Sequence, residues 1–384
     1  MVSFGAQTFV AACIFVSGLA PLAAAQSGRN TVKPDPERSK GAVENTVGYS
    51  ESRPAARARS IRPRAQISKA NDDAPKVPRP PTSSDENVIR IDTELVTVPV
   101  SVLDKNGQYV SDLQQGDFTI FEDGVEQEIA YFGVSDKPFT VVLLLDTSLS
   151  TNYKIEEIRR AAIAFVGQLK SQDAVLVIEF DGNVNVLTNL TRDRPRIYKA
   201  IGKADFGYGT SLYDAVYYSL RKKLSKVEGR KAIVLFTDGV DTTSEDAGYD
   251  TTLSAAEEAD VTVFPVYYNT IDWNKNSPDP IIVNQVGTSA KEYALGRRYL
   301  TELAEYTGGR VFVPDTTPNG LTAAFEGIAE ELRRQYNIGY VPSASGSPGQ
   351  RKEIRVRVDR PNLNVRARDS YIVGAARTLP PERP

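Results

Sequence analysis

The 384-residue chain contains no histidine. That excludes Ser-His-Asp and Cys-His triads, histidine acid–base catalysis and zinc sites with a histidine ligand. Cysteine is nearly as scarce. Cys13 stands alone in the N-terminal apolar segment, so no intramolecular disulfide and no thiol cluster can form. No G-x-G-x-x-G follows any strand-like run, which removes the dinucleotide-binding fingerprint. What remains is 41% hydrophobic and 25% charged, ordinary values for a folded chain with room for two domains and extensions.

Phe9–Leu22 is apolar and ends in Ala23-Ala24-Ala25, an A-x-A cleavage pattern before Gln26. Residues 1–25 are therefore expected to be an export signal, although no Lys or Arg precedes the apolar run. Two alternatives stay open. One is an uncleaved membrane anchor, for which the segment is short. The other is a lipoprotein signal, because Val10-Ala11-Ala12-Cys13 resembles a lipobox, but residues 14–16 stay apolar after it. Export without structural cysteine suits a bacterial envelope protein: periplasmic, cell-surface or extracellular.

Residues 26–87 are expected to be a disordered Pro/Arg-rich linker. Gln26–Glu86 has 12 Lys/Arg against 8 Asp/Glu and no sustained apolar period, so it cannot bury enough surface to fold. Arg53, Arg57, Arg59, Arg62 and Arg64 form either a basic patch for anionic surfaces or a solvated tether. From 88 to 135 the pattern is β, with Val96, Val98, Val100 and Val102 alternating with other residues. Residues 137–335 alternate strands and helices, as a doubly wound, Rossmann-like, mostly parallel sheet requires. Strands are predicted at 139–145, 174–180, 184–190, 231–237, 261–267 and 310–313. Helices are predicted at 153–169, 194–203, 211–226, 251–259, 296–306 and 319–334. The Asp181-Gly182-Asn183 turn makes one strand an antiparallel edge. Residues 336–374 return to β, and 375–384 are expected to be a disordered tail. The economical arrangement pairs 88–135 with 336–374 in one small β-domain, into which the α/β domain is inserted.

Asp146-Thr147-Ser148-Leu149-Ser150 follows the apolar run Val141–Leu145. One carboxylate and two hydroxyls thus leave the carboxyl end of a buried strand, where open α/β sheets bind ligands. Hydroxyls are weak ligands, so the set suits a hard cation that keeps several waters, above all Mg²⁺. Gly209-Thr210-Ser211-Leu212-Tyr213-Asp214 and Phe236-Thr237-Asp238-Gly239 would have to converge on it. Each segment also has a plain structural use. Ser148 or Ser150 could cap the next helix. Ser211 with Asp214 has capping-box spacing, and Thr210 could equally be the cap. Asp238-Gly239 is a common turn pair.

With these three segments in this order, the chain resembles the von Willebrand factor type A domain over about residues 137–335. Asp146, Ser148 and Ser150 fill that family's D-x-S-x-S metal-ion-dependent adhesion motif. The resemblance implies Thr210 and Asp238 as the fourth and fifth contributors, Mg²⁺ as the metal with Mn²⁺ or Ca²⁺ in its place in some relatives, and a protein partner with an exposed Asp or Glu. The flanking β segments resemble exported bacterial proteins of the same related type, through patterns such as Asp117-Phe118-Thr119-Ile120-Phe121-Glu122-Asp123-Gly124. Two carboxylates at most neutralise a divalent ion, leaving it electrophilic toward an acidic group.

The long polar stretch Asn269–Gly296, with Asp272 and the chain's one tryptophan, Trp273, is either a frame for the ligand surface or an insertion packed on itself. The function expected is exported, metal-dependent protein binding without catalysis. No nucleic-acid partner is expected, and membrane contact only if the signal is uncleaved or lipidated. The alternatives are a Mg²⁺-dependent hydrolase of phosphate esters and a structural domain with an unused metal site. Against hydrolysis, Ser148 stands where a second carboxylate would follow a nucleophilic Asp.

Overall fold

The computed structural model describes residues 48–55, 95–134, 138–268, 270, 289–315, 317 and 319–374. The signal, most of the linker and the C-terminal tail lie outside them.

Four near-continuous apolar runs and one mixed polar–apolar edge strand build the central sheet. They are β6 (Phe139–Asp146), β7 (Ala174–Phe180), β8 (Val184–Thr191), β9 (Arg230–Thr237) and β10 (Thr262–Tyr267), in the order β10-β9-β6-β7-β8. All neighbours are parallel except β7 and β8, which the short Asp-Gly-Asn turn joins antiparallel. Strands apolar on both sides need cover on both faces. One face is covered by α1 (Ile155–Gln168), α2 (Arg194–Ile201) and α6 (Gly320–Arg334). The other is covered by α3 (Leu212–Tyr218), α4 (Tyr249–Glu258) and α5 (Ala290–Tyr306). After β8 the chain crosses from one side of β6 to the other, so the switch point of the sheet falls between β6 and β9.

Three expectations need correction. Phe312 makes a single bridge to Val266, not a strand over 310–313; Pro314 has no amide with which to extend the ladder. Helix α5 begins at Ala290, ahead of the expected 296, because Ser289 and Glu292 form a capping box. Within the stretch taken as disordered, Ser50–Glu51 forms β1. A two-residue polar strand leaves no apolar period to detect. Side-chain bonds hold it: Ser50 Oγ donates to Arg360 O (2.7 Å), and Ser52 Oγ accepts from Val356 N (2.9 Å).

The flanking segments pair with one another into two antiparallel sheets. One contains β1, β3 (Phe118–Glu122), β4 (Val125–Gln127), β12 (Arg351–Val358) and β14 (Ser370–Ile372). The other contains β2 (Val96–Leu103), β5 (Ile129–Val134), β11 (Tyr336–Tyr340) and β13 (Asn364–Ala367). Their inward faces share one core around Val98, Val100, Ile120, Tyr336, Ile338 and Val356. Val134, the last residue of β5, pairs directly with Tyr336, the first of β11. The whole α/β unit is therefore inserted into what would otherwise be a hairpin.

Buried carboxylates tie the two units. Glu331 on α6 is fully buried. It accepts from Ser101 Oγ (3.0 Å), Tyr109 OH (2.9 Å), Arg310 Nε (2.9 Å) and Arg366 Nη2 (2.7 Å). Glu257 on α4 accepts from Ser370 Oγ (2.7 Å) and pairs with Arg351. Removing one member of such a network leaves the others desolvated and unpaired. Glu331→Ala should therefore lower unfolding free energy by about 2–4 kcal/mol, read as a shift in the urea midpoint.

Candidate functional site

Asp146 is the last residue of β6 and is fully buried. Its Oδ1 accepts from Ser148 N (3.0 Å) and its Oδ2 from Thr237 Oγ1 (2.6 Å) on β9. The turn that follows is fixed by Thr151, whose Oγ1 donates to Asp146 O (3.1 Å) and Ser148 O (2.8 Å). The serines are thereby kept out of the helix-capping roles open to them. The N-cap of α1 is Lys154, with no side-chain cap. Ser148 Oγ lies 3.0 Å from Ser150 Oγ, and Ser150 Oγ donates to Asp238 Oδ2 (3.1 Å).

Asp238 follows β9 directly. Parallel pairing of Leu145 with Phe236 puts the ends of β6 and β9 side by side, and so brings the carboxylates together. Asp238 Oδ1 accepts from Val240 N (3.1 Å), and its Oδ2 also accepts from Thr270 Oγ1 (2.6 Å). Thr270 Oγ1 is in turn 2.6 Å from Tyr293 OH on α5. Gly239 has φ +83°, and a Cβ there would lie 2.8 Å from the Gly296 carbonyl carbon. Here α5 rests its backbone on the site, and a side chain at either glycine would push it away.

Thr210 belongs to the loop before α3. Gly207 bridges to Ser148 and donates N–H to Thr147 O (3.0 Å). Thr210 N donates to Thr242 Oγ1 (2.9 Å) and Thr243 Oγ1 (3.1 Å). The loop thus lies against the same strand end. The side-chain bonds that gather Asp146, Ser148, Ser150 and Asp238, however, do not run through the Thr210 hydroxyl. Ser211, not Thr210, takes the N-cap position of α3, but the expected capping box does not form. Its Oγ donates to Gly182 O (3.1 Å) and makes no cap, while Asp214 accepts from the amides of Glu245, Asp246 and Ala247. Trp273 and Asp272 lie outside the described residues.

Sequence reasoning missed Thr237 and Thr270, which hold the two carboxylates from behind. Thr237 was visible inside the Thr-Asp-Gly strand end. Thr270 carried no local signal, since only folding brings it to Asp238.

Burial and the neighbouring Asp238 push the Asp146 carboxyl up to about 7. Burial likewise raises Asp238. Among the described residues no ion pair reaches either carboxylate. No group of three or more His, Cys, Asp or Glu there could hold a metal, so a cation at this site would depend on mixed carboxylate and hydroxyl donors. Two buried acids with no basic partner, ringed by hydroxyls, have the donor chemistry and charge of a small divalent cation site.

Residues 140–281 match the family model of the von Willebrand factor type A domain. Similar solved structures include the conserved hypothetical protein BatB from Bacteroides thetaiotaomicron. It is 22% identical, with 51% of this chain and 97% of that one covered and a TM-score of 0.38. A von Willebrand factor type A structure from Catenulispora acidiphila is 12% identical, covering 74% and 75%, with a TM-score of 0.42. The vWF domain of the type V pili tip protein Mfa5 from Porphyromonas gingivalis is 13% identical, covering 55% and 98%, with a TM-score of 0.38. No curated protein matches the chain.

Because folding raises both carboxyl pKa values, the folded state holds protons more tightly than the unfolded chain. In chelator the stability this pair contributes should be complete below the ordinary carboxylate range and be lost as pH rises toward about 7. Asp146→Asn should flatten that slope and stabilise the chelated protein at pH 7.5 by about 1–2 kcal/mol, measured by denaturant titration at a series of pH values.

Proposed function

We propose that this protein, through its von Willebrand factor type A domain, is a metal-dependent protein-binding module that coordinates an acidic side chain of a partner. Asp146, Ser148, Ser150, Thr210 and Asp238 would hold the ion, with Mg²⁺ preferred and Mn²⁺ or Ca²⁺ as substitutes. A bound divalent ion supplies an electrophilic position for a partner's carboxylate. The chain's own residues do the rest. Thr237 and Thr270 orient the carboxylates, Thr151 fixes the Asp-x-Ser-x-Ser turn, and the glycine contact between Gly239 and Gly296 seats α5 behind it.

The observation that carries this reading is the buried Asp146–Asp238 pair, linked through Ser148 and Ser150 and lacking any cationic partner among the described residues. Nothing in such a site requires proton transfer, and the reading is non-catalytic. Export is part of the proposal. It rests on the Phe9–Leu22 run and the Ala23-Ala24-Ala25 pattern. No helix among the described residues is long and apolar enough to cross a membrane. The flanking β segments suggest the exported bacterial type of this domain.

Calorimetric titration of the full chain with MgCl₂ should give one saturable site, absent in Asp146→Ala. Residues that orient metal ligands typically matter at the level of 10–100-fold. Thr237→Val and Thr270→Val should accordingly weaken magnesium binding about 10–100-fold without unfolding the protein. Capture of an envelope partner on immobilised protein should be lost in chelator and with Asp146→Ala. Silence on magnesium titration of the folded wild type would end the proposal. Phosphate-ester turnover lost in the same variant would replace it with the hydrolase reading.

A further inference from the structure

Donors from three different places hold Asp238. Its Oδ1 accepts from the amide of Val240 in its own turn (3.1 Å), and its Oδ2 from Ser150 Oγ (3.1 Å) and Thr270 Oγ1 (2.6 Å). Ser150 is itself a candidate ligand, so of the two hydroxyls Thr270 is the one a bound ion does not recruit. A threonine hydroxyl has one proton to give. With Asp238 ionised, as a cation requires, that proton goes to the carboxylate. The Thr270 oxygen then accepts at its other short contact, 2.6 Å from Tyr293 OH. Donation thus runs from Tyr293 through Thr270 to Asp238. Thr270 is fully buried and Tyr293 is only 4% exposed, so bulk water does not compete for either bond.

Helix α5 places Tyr293. The Ser289–Glu292 capping box fixes the first turn of that helix, immediately before Tyr293. Gly296 lies three positions further on, over the same face of the helix, and is the residue seated on Gly239. Two neighbouring points of one helix face therefore bear on the strand end: Tyr293, through Thr270, on Asp238, and Gly296 on Gly239. A phenol oxygen on a rigid ring, carried by a helix seated in this way, has little freedom to follow a carboxylate that moves. Mg²⁺ demands near-octahedral oxygen ligands at about 2.0–2.1 Å, whereas Ca²⁺ accepts more ligands, looser geometry and about 2.3–2.6 Å. A carboxylate that cannot shift suits the smaller ion. From these contacts we propose that Tyr293 is a positioning residue for the candidate cation site: by aiming the Thr270 hydroxyl it fixes Asp238 and sets a preference for Mg²⁺ over Ca²⁺. The inference rests on the metal-binding reading of the Asp146 edge.

The test titrates the full chain with MgCl₂ and with CaCl₂ by calorimetry, as wild type, Tyr293→Phe, Thr270→Val and the double variant. Each substitution removes one hydroxyl and keeps the shape of the side chain. Tyr293→Phe should weaken Mg²⁺ about 10-fold or more and Ca²⁺ by a smaller factor. The double variant should bind Mg²⁺ no more weakly than Thr270→Val alone, because Tyr293 acts through Thr270. In chelator, the urea midpoints of the same four proteins form a second cycle that needs no metal, and there the two losses together should be smaller than their sum. Wild-type Mg²⁺ affinity in Tyr293→Phe, equal weakening of both ions, or additive losses in either cycle would overturn the proposal while leaving the metal reading in place. A wild type silent to both ions would overturn the metal reading and this inference with it.

Discussion

Two carboxyl groups held together with no counterion among the described residues are the constraint on which the carboxyl edge of this sheet depends. Parallel register brings the ends of β6 and β9 level, and the packed apolar strands behind them cannot yield to relieve the repulsion. The surroundings therefore answer with donors. Thr237, Ser150, Thr270 and the amides of Ser148 and Val240 all point at the pair. Each bond favours the ionised form, and burial opposes it.

The chain treats the two buried acids at the junction of its units in the opposite way. Glu331 meets Arg310 and Arg366, and Glu257 meets Arg351. Both lie where the two units join, and both are supplied with guanidinium groups from the far side of the junction or its margin. Cationic partners were thus within this sequence's means, and the strand-end pair has none among the described residues. The contrast separates a fastening from a candidate site: one is complete in the polypeptide, while the other carries negative charge that no described side chain balances.

Much of this was legible in the sequence, for physical reasons that differ by element. The doubly wound sheet announced itself because strands buried on both faces are apolar at every position, as Val141–Leu145 and Ile233–Phe236 are. Val96–Val102 and Ile354–Val358 alternated because only one face of each is in a core. Strand ends gave Asp146 and Asp238, since each carboxylate interrupts a run that burial would otherwise keep apolar. The remainder is non-local. β1 has no apolar period because its hold is a ladder and two serine hydroxyls. Thr270 meets Asp238 only through the fold. The capping-box spacing of Ser211 and Asp214 misled, because the carboxylate found three amides across the loop in place of its own helix terminus.

The pairing of Val134 with Tyr336 has a mechanical corollary. Partners across an antiparallel ladder stand only about 5 Å apart, so the polypeptide enters and leaves the α/β unit side by side on neighbouring strands. Tension applied at the carboxyl edge of the sheet would reach the sandwich through two parallel covalent leads and be divided between them. Neither lead alone bears the load, and the adjoining strands β5 and β11 would be drawn in the same direction together and not peeled apart in sequence.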